Sequence, residues 1–343
     1  MKRLSFLLVM VLLATSIVGC STPAPDQQSE GGGTEVSDNG DKVYKFKLGH
    51  QSPEGEPYDL VAHKFKDLIE ERTNGQIQIE VYPHAQIGYD RTLMENLQFG
   101  TLDFAVVAGE AVGGFVPEAN AVTLPFIFRD FDHANSFGRS EKLNDFFGAF
   151  DGTGLVPLGM VRRGFRSVTN SDKPIYEPAD LKGLKLRVVE NPIYIDTFTE
   201  LDTVAIPMAW GEVYVAMQQG TIDGHENSPE LVVAYRIWEV QKYYSLTEHV
   251  FAFGYLMTGD HIMDELPEDL QEEVRKASFE AVDAVSVELQ EKMDELLDQL
   301  REEGMEINEV EDKEPFKEMV EPVYEKYADQ YGSEFIELIQ GIQ

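Results

Sequence analysis

From residue 43 onward the chain alternates two hydrophobic rhythms, and this alternation limits its possible folds more than any other feature. "VYKFKLGH" (43–50) and "QIQIEVYP" (76–83) follow a period of two, as half-buried strands do. Between them, "PYDLVAHKFKDLIEER" (57–72) carries Leu60, Val61, Phe65, Leu68 and Ile69 at helical spacing. "TNG" (73–75) follows, and its glycine suits a left-handed helix end. "DRTLMENLQFG" (90–100) reads as a second helix closed by Gly100, and "LDFAVVAG" (102–109) as a near-continuous apolar strand. The order βαβαβ predicts a doubly wound α/β unit.

A second set of elements begins near residue 155. "LVPLGMV" (155–161), "GFRSVTN" (164–170) and "LKLRVV" (184–189) are strand-like. Asn191 and Pro192 fit the cap and first position of a helix over "PIYIDTFTEL" (192–201). "TVAIP" (203–207) is extended, "WGEVYVAMQQG" (210–220) is a helix with a glycine stop, and "TIDGHEN" (221–227) is a short strand. "TEHVFAFGYLMTG" (247–259) is apolar, extended and long enough to pass between lobes. Residues 266–302 form one long helical pattern, and 316–331 another with a proline break. No repeat of fixed period occurs. The predicted fold class is α/β, a two-lobed clamshell with a long helix. The predicted division puts 42–164 with 253–292 in lobe I and 165–252 with 293–343 in lobe II. In open α/β sheets the ligand lies beyond the carboxyl ends of the strands, so the cleft between lobes is the default site.

The N-terminus has a different composition. A basic start, Met1-Lys2-Arg3, precedes the apolar run "LSFLLVMVLLA" (4–14), which is short for a membrane span; residues 1–19 read as a secretory signal peptide. Gly19 before Cys20 resembles a bacterial lipoprotein cleavage site, with Ile17 departing from the usual leucine. Cys20 is the only cysteine, so no internal disulfide can form and stability must come from packing. The Ser/Gly/Pro/Asp-rich stretch 20–41 reads as a flexible tether on a lipid anchor at Cys20. The predicted location is therefore the outer side of the cytoplasmic membrane. With 28 Lys plus Arg against 62 Asp plus Glu, a net charge of −34, nucleic acid is a poor partner.

Catalytic signatures are absent. There is no G-x-S-x-G, and "GEAVGG" (109–114) has the wrong glycine spacing for a dinucleotide. The seven histidines make no H-E-x-x-H and no close pair. Against this background Arg187 is anomalous, a permanent charge between Leu186 and Val188 in an apolar strand. A buried charge needs a partner, and a guanidinium binds a carboxylate through two parallel hydrogen bonds. Spacing leaves two partners open: an internal Asp or Glu, or a solute. Arg166, in an adjacent-looking strand, favours the solute, because two arginines sharing one structural acid would be unusual. Asn227 ends a short strand and suits either a turn or a hydroxyl or carboxylate oxygen. Trp210 and Tyr214, one helical turn apart, fit a core or a pocket wall.

The block "ADLKGLKLRVVENPIYIDTFTELDTVAIPMAWGEVYVAMQQGTIDGHEN" (179–227) closely resembles the solute-binding proteins of TRAP transporters, DctP type. "TNGQIQIEVYPHAQIG", "LQFGTLDFAVV" and "LPFIFRDFDHA" resemble the same family, and the likeness covers nearly everything after the tether. It implies a periplasmic-binding-protein-like clamshell with a hinge-spanning helix, no enzymatic activity and no cofactor. Such a receptor hands an organic acid to the small and large integral membrane subunits of an ion-driven permease. By resemblance Arg187 binds the carboxylate, Arg166 joins it with Arg162 and Arg163 close by, and Asn227 contacts the ligand. His50 and Glu110 meet its far end, and Trp210 lines the pocket. His225 stands where glutamine is common. The expected solute is a sugar acid such as a uronate or aldonate, whose hydroxyls His50 and Glu110 would hold. A C4-dicarboxylate, a keto acid or a sialic acid are the alternatives. Two other classes remain: a metal-binding receptor lipoprotein, which needs histidines converging in the cleft, and a secreted acid-sugar hydrolase or lyase, which needs an acid/base pair of shifted pKa.

Overall fold

The structure, a computed structural model, describes residues 34–36 and 42–343. The signal peptide, Cys20 and most of the tether lie outside the described residues. Within the stretch expected to be tether, Thr34–Val36 instead forms a short strand, β1, pairing antiparallel with the first residues of β2 (Lys42–His50).

Eight further strands complete one sheet: β3 (Ile77–Tyr82), β4 (Phe104–Ala108), β5 (Leu155–Asn170), β6 (Lys185–Val188), β7 (Val204–Pro207), β8 (Gly224–Asn227), β9 (Tyr243–Gly259) and β10 (Glu306–Glu309). The order is β1-β2-β4-β9-β5-β8-β6-β7, with β3 on β2 and β10 on β9. At one end β2 runs parallel to both β3 and β4, as the βαβαβ pattern predicts. The linking helix Pro57–Arg72 buries Val61, Phe65 and Ile69, the apolar positions read from its spacing. Gly100 ends the Asp90–Phe99 helix in the left-handed conformation, φ 68°. At the other end β6 lies between β7 and β8, parallel to each. Asn191 caps the Pro192–Glu200 helix by accepting from the Ile193 N–H.

The long strands β5 and β9 run antiparallel through the middle and join the two ends. The sequence suggests two strands over 155–170. The chain makes one of 16 residues, because Gly164 (φ 127°) bulges the ladder rather than breaking it. Around this crossing, Phe128, Phe131, Phe137, Phe165, Phe251 and Phe253 form a chain of ring contacts with centroids 5.0–6.2 Å apart.

The long helical pattern is divided at Lys292 into Glu268–Glu291 and Met293–Glu302. The first helix packs on β5 and the Pro57–Arg72 helix; the second packs on the Pro229–Ala234 helix. The break thus falls where the packing passes from one end of the sheet to the other. Residues 109–154, featureless to periodicity after β4, fold as short helical pieces. C-terminal helices cover them: Tyr327 Oη donates to the Glu118 carbonyl at 2.6 Å, and Tyr324 Oη to that of Pro125 at 2.7 Å. These contacts cross the lobe division expected from the sequence. Among the described residues no helix is long and apolar enough to cross a membrane.

Candidate functional site

The carboxyl ends of β2, β4, β6 and β8 converge beside the β5–β9 crossing on a pocket of about 470 Å³. The bulge in β5 decides which arginines reach it. Residues 163 and 166 would face opposite ways in a regular strand, but the register shift between Arg162 and Gly164 brings both to the pocket side. Arg162 faces away, donating from Nη2 to Asp283 Oδ1 at 2.5 Å and from Nε to Asn135 Oδ1 at 2.8 Å.

The two β5 arginines that reach the pocket are compensated by the chain itself. Arg166 donates from Nε and Nη2 to the two carboxylate oxygens of Glu226, at 2.5 and 2.8 Å, and from Nη1 to Glu110 Oε1 at 2.7 Å. Burial opposes the charge on Arg166, but these carboxylates outweigh it and hold its pKa well above the ordinary value. Burial likewise opposes the Glu226 carboxylate, and Arg166 holds it down at about 2. Arg163 donates to Glu230 Oε1 at 3.0 Å, Tyr58 Oη at 2.8 Å and Ser228 Oγ at 3.3 Å.

Arg187 differs. It is 4 % exposed on β6, lines the pocket and forms no ion pair among the described residues. Its Nε and Nη2 both donate to the Met208 carbonyl, at 2.9 and 2.6 Å, and its guanidinium sits 5.6 Å from the centre of the Trp210 ring. Burial pushes its pKa down to about 10, with Glu226 opposing and Arg166 assisting. It remains a cation at neutral pH, held by dipoles and a π face.

The other pocket groups are mainly acceptors and amides. Glu110, 3 % exposed, gives one oxygen to Arg166, while Oε2 has no hydrogen-bond partner among the described residues. Asp90 Oδ2 accepts from Gln51 Nε2 at 2.8 Å and Oδ1 from the Ala108 N–H at 3.2 Å; burial pushes its pKa up to about 7. Asn227 Oδ1 accepts from the Ser228 N–H at 3.0 Å, and its amide nitrogen has no acceptor among the described residues. The Trp210 ring stacks on His225 at 5.7 Å and meets the edge of Tyr235 at 4.9 Å.

Of the residues singled out in the sequence, Arg187, Arg166, Asn227, Glu110 and Trp210 surround this one pocket. His50 does not line it. It shares the face of Leu48 on β2, fully buried, with Nε2 3.4 Å from Asp59 Oδ1, and burial pushes its pKa down to about 4. Tyr214 lies on an adjoining hollow, its Oη donating to Glu239 Oε2 at 2.7 Å. Sequence reasoning missed Gln51, Tyr58, Asp90 and Tyr235; the only available signal was the position of Gln51 just beyond a strand end. No histidine lines the pocket, and no group of three or more His, Cys, Asp or Glu among the described residues could hold a metal.

A sheet with two ends joined by long strands, and an under-compensated cation at their junction, defines a two-lobed binding protein for a small anion. Residues 48–330 match the family model for bacterial extracellular solute-binding protein, family 7 (DctP). The chain belongs to that family, the extracytoplasmic solute receptors of TRAP transporters, which are binding proteins rather than enzymes. A solute-binding protein of Verminephrobacter eiseniae is 32% identical over 279 residues, 81% of this chain and 83% of its own. A TRAP periplasmic solute-binding protein of Chromohalobacter salexigens, solved with bound D-glucuronate, is 31% identical. It superposes with a TM-score of 0.83 over 87% of this chain and 100% of its own. One from Polaromonas sp. JS666, bound to D-erythronate, is 31% identical with a TM-score of 0.80 over 87% and 99%.

Proposed function

We propose that this chain captures a sugar acid, a uronate or an aldonate, outside the cytoplasmic membrane and delivers it to the small and large membrane subunits of a TRAP permease. The observation that carries this is Arg187, a buried guanidinium on the pocket wall whose only acceptor among the described residues is a backbone carbonyl. The solute carboxylate completes it, in a charge-assisted contact that contributes about 1.5–3 kcal/mol. Asn227 donates to the same end of the solute. Glu110 Oε2 and Asp90 accept from hydroxyls farther in, a polarity that suits a polyol chain or ring. A second carboxylate would meet these two acids, which disfavours a C4-dicarboxylate. The relatives solved with D-glucuronate and D-erythronate support the same reading.

His50 acts from behind the wall, neutral and against Asp59, and Trp210 forms the π face beside the carboxylate site. The lobes, 42–164 with 253–292 and 165–252 with 293–343 save that 118–125 move with the C-terminal helices bonded to them, close about β5 and β9, and Cys20 carries the lipid anchor after removal of the signal peptide. Calorimetry with D-glucuronate, D-galacturonate, D-erythronate, succinate and pyruvate tests the assignment. At least one sugar acid is expected to bind far more tightly than succinate or pyruvate. Tight binding of either of those with no response to the sugar acids overturns it.

A further inference from the structure

Next to the anion pocket lies a second hollow of about 650 Å³, and Gln51, Trp210 and Tyr235 line both. Trp210 packs against the Arg187 guanidinium, 5.6 Å from ring centre to the charged carbon, so the boundary between the two hollows stands beside the carboxylate anchor. The hollow is walled by the rings of Tyr89, Trp210, Tyr214 and Tyr235, and no Asp, Glu, Lys or Arg lines it.

Several features fix these walls. Tyr214 is tied to Glu239 at 2.7 Å, and Trp210 is held between His225 and Tyr235. Tyr89, 51 % exposed, closes across the Trp210–Gln218 helix only because residue 211 is glycine; a Cβ there would fall 2.7 Å from Tyr89 Oη. His84 and Ala85 both have φ 55°, two consecutive non-glycine residues in the left-handed region. Their N–H groups donate to the Ser52 and His50 carbonyls, each at 3.1 Å. Such strained turns persist where surrounding structure holds them, and they gather at ligand clamps. This one clasps the loop that carries Gln51 and Ser52 into the anion pocket.

We infer that the outer hollow is a subsite for a neutral sugar ring attached to the uronate, so that the ligand class is an aldobiuronic acid. The inference rests on the sugar-acid reading above. Aromatic rings offer an apolar face to the C–H face of a pyranose, and tyrosine hydroxyls offer a polar edge to its hydroxyls. The ring is neutral because the hollow has no lysine or arginine to meet a second carboxylate, in a chain of net charge −34. This gives Tyr214 a function that the anion pocket does not.

The test is calorimetry with D-glucuronate and with glucuronosyl-β-(1→6)-galactose. The disaccharide is expected to bind at least ten-fold more tightly. Tyr214→Ala and Tyr89→Ala should each remove most of that advantage while keeping glucuronate within two-fold of wild type, and Tyr214→Phe should retain most of it. If glucuronate binds and the disaccharide is excluded, binds no more tightly, or keeps its advantage in both alanine variants, the subsite is overturned and the sugar-acid reading stands. Binding of neither overturns the glucuronate subsite, and the sugar-acid reading is then decided by the D-galacturonate and D-erythronate titrations.

Discussion

Arg166 on β5 and Arg187 on β6 are buried almost equally, 2 % and 4 % exposed, yet their surroundings are opposite. Arg166 has three carboxylate contacts from two glutamates, and Arg187 has one backbone carbonyl. Burial alone therefore does not separate a structural arginine from a binding one. What separates them is whether the chain supplies the counter-charge. The β5 side even carries surplus acid: beside Arg163, Glu56 and Glu230 each have a buried carboxylate oxygen without a hydrogen-bond partner among the described residues. One side of the site is over-supplied with anion and the other under-supplied, and a monoanionic solute corrects the second.

The largest expected effect is on the β5 side. Arg166→Ala leaves Glu226 and Glu110 buried without their cation and should cost about 3–5 kcal/mol of stability. At about 2–4 °C per kcal/mol, the melting temperature should fall by about 6 °C or more. A melting temperature unchanged from wild type would break the comparison. Arg187→Ala should do the reverse, with the ligand-free melting temperature unchanged or raised while binding weakens by about 2–5 kcal/mol, roughly 30-fold to several thousand-fold. Calorimetry and thermal melts on the same samples separate the two readouts.

Next comes Glu56, whose carboxyl burial pushes up to about 7, with Arg163 opposing. Between its ordinary value near 4.5 and about 7, the folded chain binds more protons here than the unfolded chain, so this group's contribution to stability falls as pH rises through that window. Glu56→Gln removes that cost. Thermal melts should find the variant more stable than wild type at pH 8, by up to about 3 kcal/mol, and the gap should close below about pH 4.5. A gap that widens toward acid pH would have the wrong sign. The smallest effect is Glu110→Gln, which keeps an oxygen for Arg166 but weakens the acceptor on the solute side. Sugar-acid affinity should drop by about 1–2 kcal/mol, measured by calorimetry, with little change in melting temperature.

Much of the fold was legible because period two and helical spacing alternate cleanly over 43–109, and because Asn191-Pro192 and Gly100 punctuate helices by local backbone chemistry. Three features were not. Gly164 reads equally as a break or a bulge, the division at Lys292 has no proline or glycine to signal it, and the short helical pieces of 109–154 have too few turns to set a period. In the site, Arg187 was legible as a charge out of place in an apolar strand. The facing of Arg162, Arg163 and Arg166 was hidden because the bulge shifts their phase. His50 lies off the pocket lining, because the period that makes β2 recognisable also puts residue 50 on the face of Leu48, against Asp59. The compensation of Arg166 by Glu226 depends on β5 pairing with β8, a contact between strands 60 residues apart that no local pattern encodes.

The most direct measurement is the structure of the protein loaded with its sugar acid. The solute carboxylate should lie within hydrogen-bonding distance of the Arg187 guanidinium, with Arg166 still bound to Glu226 and Glu110. A carboxylate seated on Arg166 in place of Glu226, with Arg187 left on the Met208 carbonyl alone, would contradict the account.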